Sequence, residues 1–371
     1  MDILYFLIAL LILAVMITVH ELGHYTAGRL LGFKILDFSV GFGPAILKRK
    51  SKKGIVYALR AIPLGGACRF YGEEDDPKEL EGAGDAIPFN SQKPWKRLIV
   101  IFAGPLMNFV FAYLLAVVMM MCYGNQRFVT YPNGDNAVVI TDLAEGGRAQ
   151  DCGVEINDVI ISVGGSDISG EPHTFDEKAD IISKAIDEAS PEGVTLTVLR
   201  GGEQLDILVT NIYNESEQKN LLGIVMGNMV EYVPEGFFRS FGSGFELLGN
   251  IVKVTVGALV NGVKNGFNQN DVSGIVGTVA ITMRMASLGF YYVLYVTIII
   301  SMSLGIMNLL PLLPLDGGHL LFDFIEMVFG KPVPRKIQNV LSLIGFGLLI
   351  MLMIYATYSD IRGLFNGAFN F

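Results

Sequence analysis

The stretch ILYFLIALLILAVMITVHELGHYTAG, residues 3–28, decides how the rest of the chain is read. Its first half is apolar enough to enter a bilayer, yet within one further turn it carries His20, Glu21 and His24. The spacing fits H-E-x-x-H. On a helix, positions i and i+4 share a face, so both imidazoles can bind one zinc ion. The intervening glutamate then stands where it can take a proton from water. The alternative, polar residues satisfied inside a helix bundle, leaves unexplained a cost on the order of 2.5–3.5 kcal/mol per ionisable group at mid-membrane. The chain has only four histidines, so half of them fall in this motif.

The surrounding composition agrees with a membrane setting. The 371 residues are 51% apolar and 17% charged, with a mean hydropathy of +0.49; a soluble chain would carry about 25% charge. Four stretches are long and apolar enough to span, roughly residues 3–24, 98–122, 286–310 and 338–358. The first lacks a basic leader and an A-x-A site, so it reads as a retained span and not a signal peptide. Cys68, Cys122 and Cys152 have no regular spacing, which fits buried or spectator thiols and neither a disulfide framework nor a zinc ribbon.

Charge sets the sidedness. Between the first two spans lie Arg29, Lys34, KRKSKK (48–53), Arg60, Arg69, Lys93, Lys96 and Arg97, and between the last two lie Lys331, Arg335 and Lys336. Residues 124–285 hold 22 acidic residues against 10 basic ones. By the positive-inside rule, 25–97 and 311–337 face the cytoplasm, and the long acidic segment and both termini lie outside. Trp95, Lys96 and Arg97 read as an interfacial anchor at the start of the second span. Nothing in the pattern points to nucleic acid.

Within the acidic segment, NAVVITDL, DVIISVGG, VTLTVLR and LDILVTNI read as strands. TFDEKADIISKAIDEAS (174–190) reads as an amphipathic helix opened by Thr174 and closed before Pro191. The order of these elements and the stretch GGRAQDCGVEINDVIISVGG resemble a PDZ domain, with Asn157-Asp158 in place of the usual Gly-Asp. Such a domain binds extended peptides by strand addition, or serves here as a gate without a peptide ligand. Residues 236–285 are amphipathic and rich in Gly and Asn, and read as an interfacial helix or a packed connector.

A catalytic zinc takes three protein ligands and keeps a position open. His20 lies about 25 Å along the helix from Ile3, near the cytoplasmic side of a core about 30 Å thick. The third span ends on that side in GIMNLLPLLPLDGGHLLF (305–322). Its prolines break the helix, which at such depth is tolerated only inside protein or beside water. Asp316 is the natural third ligand, completing a His₂-carboxylate set, and His319 is its competitor, otherwise a packing or supporting residue.

The HELGH helix, AGPLMNFV (103–110) and NLLPLLPLDGG (308–318) together resemble the site-2 protease family. More closely, they resemble its bacterial RseP/RasP-like branch of intramembrane zinc metalloproteases, here with one PDZ domain. The resemblance runs over nearly the whole chain. It implies Zn²⁺ held by His20, His24 and Asp316, with Glu21 as general base. It also implies that Asn308 holds substrate backbone near the metal and that Asn108 helps to line the cleft, although either asparagine equally suits a helix–helix hydrogen bond. FSVGFGP (38–44), with Gly41 and Gly43, and IVYALRAIPLGG (55–66) resemble the family's membrane-associated β-loop, which offers an edge to an unwound substrate. Two departures stand out: SGIVG (273–277) lacks the family's proline, and Ser303 stands where relatives often carry Asn.

The expectation is therefore a multi-pass α-helical membrane protein of about four spans with a membrane-associated β-loop and an inserted α+β PDZ-like domain. Its parts are a first half of the protease core (1–126), the PDZ-like domain (127–215), a connector (216–285) and the second half of the core (286–371). It would cleave single-span membrane proteins or signal-peptide remnants in the bacterial plasma membrane. A non-proteolytic scaffold with a structural zinc is the rival, against which Glu21 argues, since a structural site needs no base. A zinc transporter would want a polar path that spans two and four do not offer.

Overall fold

The computed structural model describes residues 2–52, 54–73, 86–128, 130, 131, 136–144, 147–169, 174–214, 219–228, 230–266 and 274–365. His173, Lys53 and Ser273 lie outside them. The chain forms two compact units, Met1–Cys122 with Glu235–Phe371, and Tyr123–Pro234.

The first unit is helical. α1 (Asp2–Leu30) and α2 (Pro94–Cys122) flank β1 (Ile35–Lys50) and β2 (Val56–Phe70) in sequence. After the second unit come α5 (Phe237–Asn265), α6 (Ile275–Ser287), α7 (Phe290–Asn308), α8 (Asp316–Phe329) and α9 (Arg335–Phe365). α2 is the hub, packing on α1, α5, α7 and α8. Among the described residues, five helical stretches are long and apolar enough to cross a membrane: Ile3–Leu30, Pro94–Cys122, Phe237–Gly262, Phe290–Asn308 and Arg335–Arg362. Large apolar side chains such as Leu7, Leu11, Leu343 and Met351 are exposed on them, as a lipid-facing surface requires.

One of these five is additional to the four stretches singled out from sequence. It is the α5 stretch, whose most apolar 18-residue window has a mean hydropathy of 1.3, the lowest of the set. Glu246, Asn250 and Lys253, together with its glycines, dilute the apolar signal. Arg97 also departs from its expected place as an interfacial anchor. Its side chain is buried, and it donates to Asp323 from Nε (3.0 Å) and Nη2 (2.7 Å) and to Glu326 of α8. Trp95 beside it remains exposed.

β1 and β2 make more than a plain hairpin. Val40 pairs with Gly66 on one side and with Leu59 on the other, while Lys48 pairs with Ala58. Each long strand therefore folds over on itself, and four segments lie side by side in the order 45–50, 56–60, 35–41, 66–70. The corner in β1 falls at Gly41 and Gly43, with φ of 90° and 84°. A Cβ at Gly41 would stand 2.6 Å from the Ile62 carbonyl oxygen, so the corner accepts only glycine there.

The second unit is built on a sheet in the order β11 (Ile224–Asn228), β4 (Val138–Leu143), β5 (Val159–Val163), β7 (Gly193–Arg200), β8 (Glu203–Thr210), with β6 (Ser166–Asp167) beside β5. Alternating apolar residues, Ile140, Ile160, Leu196 and Val198 among them, bury one face. The helix α4 (Phe175–Asp187) packs into this core through Ile182 and Ile186. It opens at Thr174, as the sequence suggested, and Glu177 completes a reciprocal capping box there. Asp158, fully buried, receives Arg200 Nε and Nη2, each at 2.7 Å. α3 (Arg148–Asp151) and the two-stranded pairs β3 (Asn125–Phe128) with β12 (Val230–Val233) and β9 (Tyr213–Asn214) with β10 (Lys219–Asn220) complete the unit.

Candidate metal centre

α1 is uninterrupted through residues 20–24, so His20 and His24 project from one face. That face meets α2. Gly23 lies against Ala103, and both imidazoles lie over Gly104, where a Cβ would meet His24 Nε2 at 2.3 Å and His20 Cε1 at 3.0 Å. Only a bare backbone leaves the rings their space. The nitrogens turned away from the centre meet α2 as well. His24 Nδ1 lies 2.9 Å from the Val100 carbonyl oxygen, and His20 Nδ1 lies 3.3 Å from Asn108 Nδ2.

From the opposite side, the irregular stretch after α7 delivers Asp316 as the first residue of α8. Asp316 Oδ2 stands 3.1 Å from His20 Nε2 and 3.5 Å from His24 Nε2, and the two Nε2 atoms are 3.2 Å apart. Among the described residues, no other set of three His, Cys, Asp or Glu side chains converges in this way.

These distances and chemistries fit a zinc ion. The Val100 carbonyl can only accept, so His24 Nδ1 carries the hydrogen, and a neutral ring so held turns its lone pair inward at Nε2, as a metal ligand requires. Asp316 Oδ2 is buried and receives no hydrogen bond from either imidazole beside it. Electron-rich atoms held this close repel unless a proton or a metal cation lies between them, and one metal ion serves all three at once. Bonds of about 2.0–2.1 Å to a tetrahedral zinc imply ligand–ligand edges of about 3.3–3.4 Å, and the three observed separations bracket that value.

The cluster opens on a cavity of about 640 Å³, lined among others by Glu21, Ala67, Cys68, Arg69 and His319. Glu21 reaches it from α1, close to the Cys68 backbone amide. The outermost β2 segment thus forms one wall of the metal cavity. His319, one turn along α8, lines the cavity outside the converging trio. Asn108 is fully buried behind His20 and is not part of the lining. Asn308 is the last residue of α7, half-buried and away from the lining, while Gly41 and Gly43 form the β1 corner. Sequence reading missed the Val100 carbonyl, the Gly104 cradle and the wall at Cys68. Only the glycine of AGPLMNFV held a trace of the second.

A family model, Peptidase family M50, matches residues 8–352. Proteins named candidate zinc metalloproteases match almost end to end. One from Agrobacterium fabrum is 31% identical, covering 96% of this chain and 95% of its own length. One from Campylobacter jejuni is 31% identical over 96% and 93%, and one from Synechocystis is 32% identical over 97% and 95%. The chain belongs to peptidase family M50, the family of site-2-type proteases, and is a membrane-integral zinc metallopeptidase.

Proposed function

We propose that the chain hydrolyses peptide bonds within or beside transmembrane segments of membrane-bound substrates, with His20, His24 and Asp316 holding the zinc. The observation that carries this reading is the presence of Glu21 in the same cavity as the converging trio, on a helix long and apolar enough to cross a membrane. Zinc, when bound, supplies a Lewis acid that acidifies water and polarises a carbonyl. The Glu21 carboxylate takes the proton of the attacking water and returns it to the leaving nitrogen. A helical substrate hides its amides in i→i−4 bonds, so it must unwind before attack. The β2 segment along the cavity wall, residues 67–69, supports that extended form by strand addition. The family resemblance assigns Asn308, which ends α7 outside the cavity lining, to holding substrate backbone beyond the cavity.

The basic 25–97 and 311–337 segments support a metal near the cytoplasmic face of a bacterial plasma membrane, and the acidic 124–285 segment supports an outer side for that stretch. In this reading the α5 stretch lies along the outer interface and four helices span. The second unit is a PDZ-like domain of the RseP/RasP-like branch, which excludes substrates whose outer part is untrimmed or takes a peptide ligand. Single-span proteins, such as anti-sigma factors, and remnant signal peptides are the substrate class.

Purified protein in lipid vesicles with a single-span substrate tests this. Glu21→Gln keeps zinc and fold and lowers cleavage by about 10²–10⁴-fold. Unchanged cleavage in that variant contradicts the reading, and a zinc-loaded wild type that never cleaves supports a scaffold.

A further inference from the structure

We infer that Asn108 is a positioning residue for the metal centre: its side-chain carbonyl accepts the Nδ1–H of His20 and holds the Nε2 lone pair on the zinc. This rests on the assignment of His20 as a ligand.

Val100, Gly104 and Asn108 follow one another at i, i+4 and i+8, so they line one face of α2. That face runs antiparallel to the His20–His24 face of α1. Val100 meets His24, Gly104 lies under both rings, and Asn108 meets His20. The helix therefore offers each imidazole its own partner on the side away from the metal. For His24 that partner is a carbonyl, which accepts. For His20 it is an amide, which can either donate or accept.

Two observations select acceptance. His20 Nε2 is the atom that approaches Asp316 and His24, so if it binds the metal, the ring hydrogen resides on Nδ1. A donor at Asn108 would then face a donor. Moreover, Asn108 Oδ1 is buried without a hydrogen-bond partner while Nδ2 stands toward the ring. Turning the amide by half a revolution about its last bond brings Oδ1 to Nδ1–H, which ends the donor–donor clash and gives the oxygen a partner, and turns Nδ2 to the side where Oδ1 stood. The two ends of the amide are nearly equal in size, so the packing is unchanged. The residue is also held from behind, since Ser301 Oγ of α7 donates to the Asn108 backbone carbonyl at 2.9 Å. Fixing the tautomer and ring of a ligating histidine is worth about 10–100-fold in metal affinity.

Zinc affinity of the full-length protein in detergent, measured by competition with a chromophoric chelator, tests the role without recourse to proteolysis. Asn108→Leu, similar in size but without an acceptor, weakens zinc by about 10–100-fold and shifts the ligand-field bands of the cobalt-loaded protein. Asn108→Asp keeps an acceptor and recovers most of the affinity. Because a buried carboxylate can itself impair folding, Asn108→Leu is also made in a His20→Ala background, where it costs no further affinity. Wild-type affinity and spectrum in Asn108→Leu, or a full loss repeated in the His20→Ala background, overturn the proposal. Unweakened zinc in His20→Ala alone would instead overturn the ligand assignment beneath it.

Discussion

Gly23 of α1 lies so close to α2 that a Cβ there would stand 2.1 Å from the Ala103 carbonyl oxygen. This backbone contact sets how deeply the histidine face sits against Gly104. Gly23→Ala must push the helices apart, since the obstacle is backbone and not a movable side chain. An overpacked contact of this kind costs about 1–3 kcal/mol. Both the unfolding midpoint and the zinc content are expected to fall.

Gly104→Ala should behave differently. The intruding methyl meets the His24 and His20 rings and not a helix backbone. Zinc affinity is expected to fall more steeply than stability. A chelator competition alongside thermal unfolding separates the two, and equal losses in both would speak against the cradle.

Arg97 joins α2 to α8 through Asp323 and Glu326, with the side chains 6%, 12% and 20% exposed. Arg97→Met leaves two carboxylates enclosed without their cation, a loss of about 3–5 kcal/mol. Because α8 begins at Asp316, zinc binding should weaken with it. Replacing Asp323 and Glu326 by Leu in the same chain should restore most of the stability, as measured by denaturant unfolding.

Removing zinc with a chelator should abolish hydrolysis and leave the helix content unchanged, because apolar packing holds the helices. Added zinc should restore activity and raise the unfolding temperature. At a free concentration one hundred times Kd the gain is about 2.7 kcal/mol. Circular dichroism and calorimetry on the same sample check both halves.

How much of this was legible in the sequence depended on the range of the interaction. His20, Glu21 and His24 lie within one turn, so helical periodicity alone places them together. Asp316 was reachable because glycines and prolines mark a broken segment of matching polarity. The partners of the rings were not, because Val100 contributes a backbone carbonyl that has no side-chain signature. Arg97 reads as one more basic residue near a membrane surface until Asp323 and Glu326, more than 200 residues away, are brought beside it. The fold-over of β1 and β2 was hidden because strand alternation does not reveal which segments pair twice. In the α5 stretch, Glu246, Asn250, Lys253 and the glycines lowered hydropathy enough to favour an interfacial reading.

The central claim is that His20, His24 and Asp316 hold one zinc ion. X-ray absorption at the zinc edge of the loaded, full-length protein tests it most directly. The account predicts two imidazole nitrogens, one carboxylate oxygen and one exchangeable light atom, with the carboxylate contribution lost in Asp316→Ala and retained in His319→Ala. A third imidazole that disappears with His319, or a sulfur neighbour from Cys68, would contradict it.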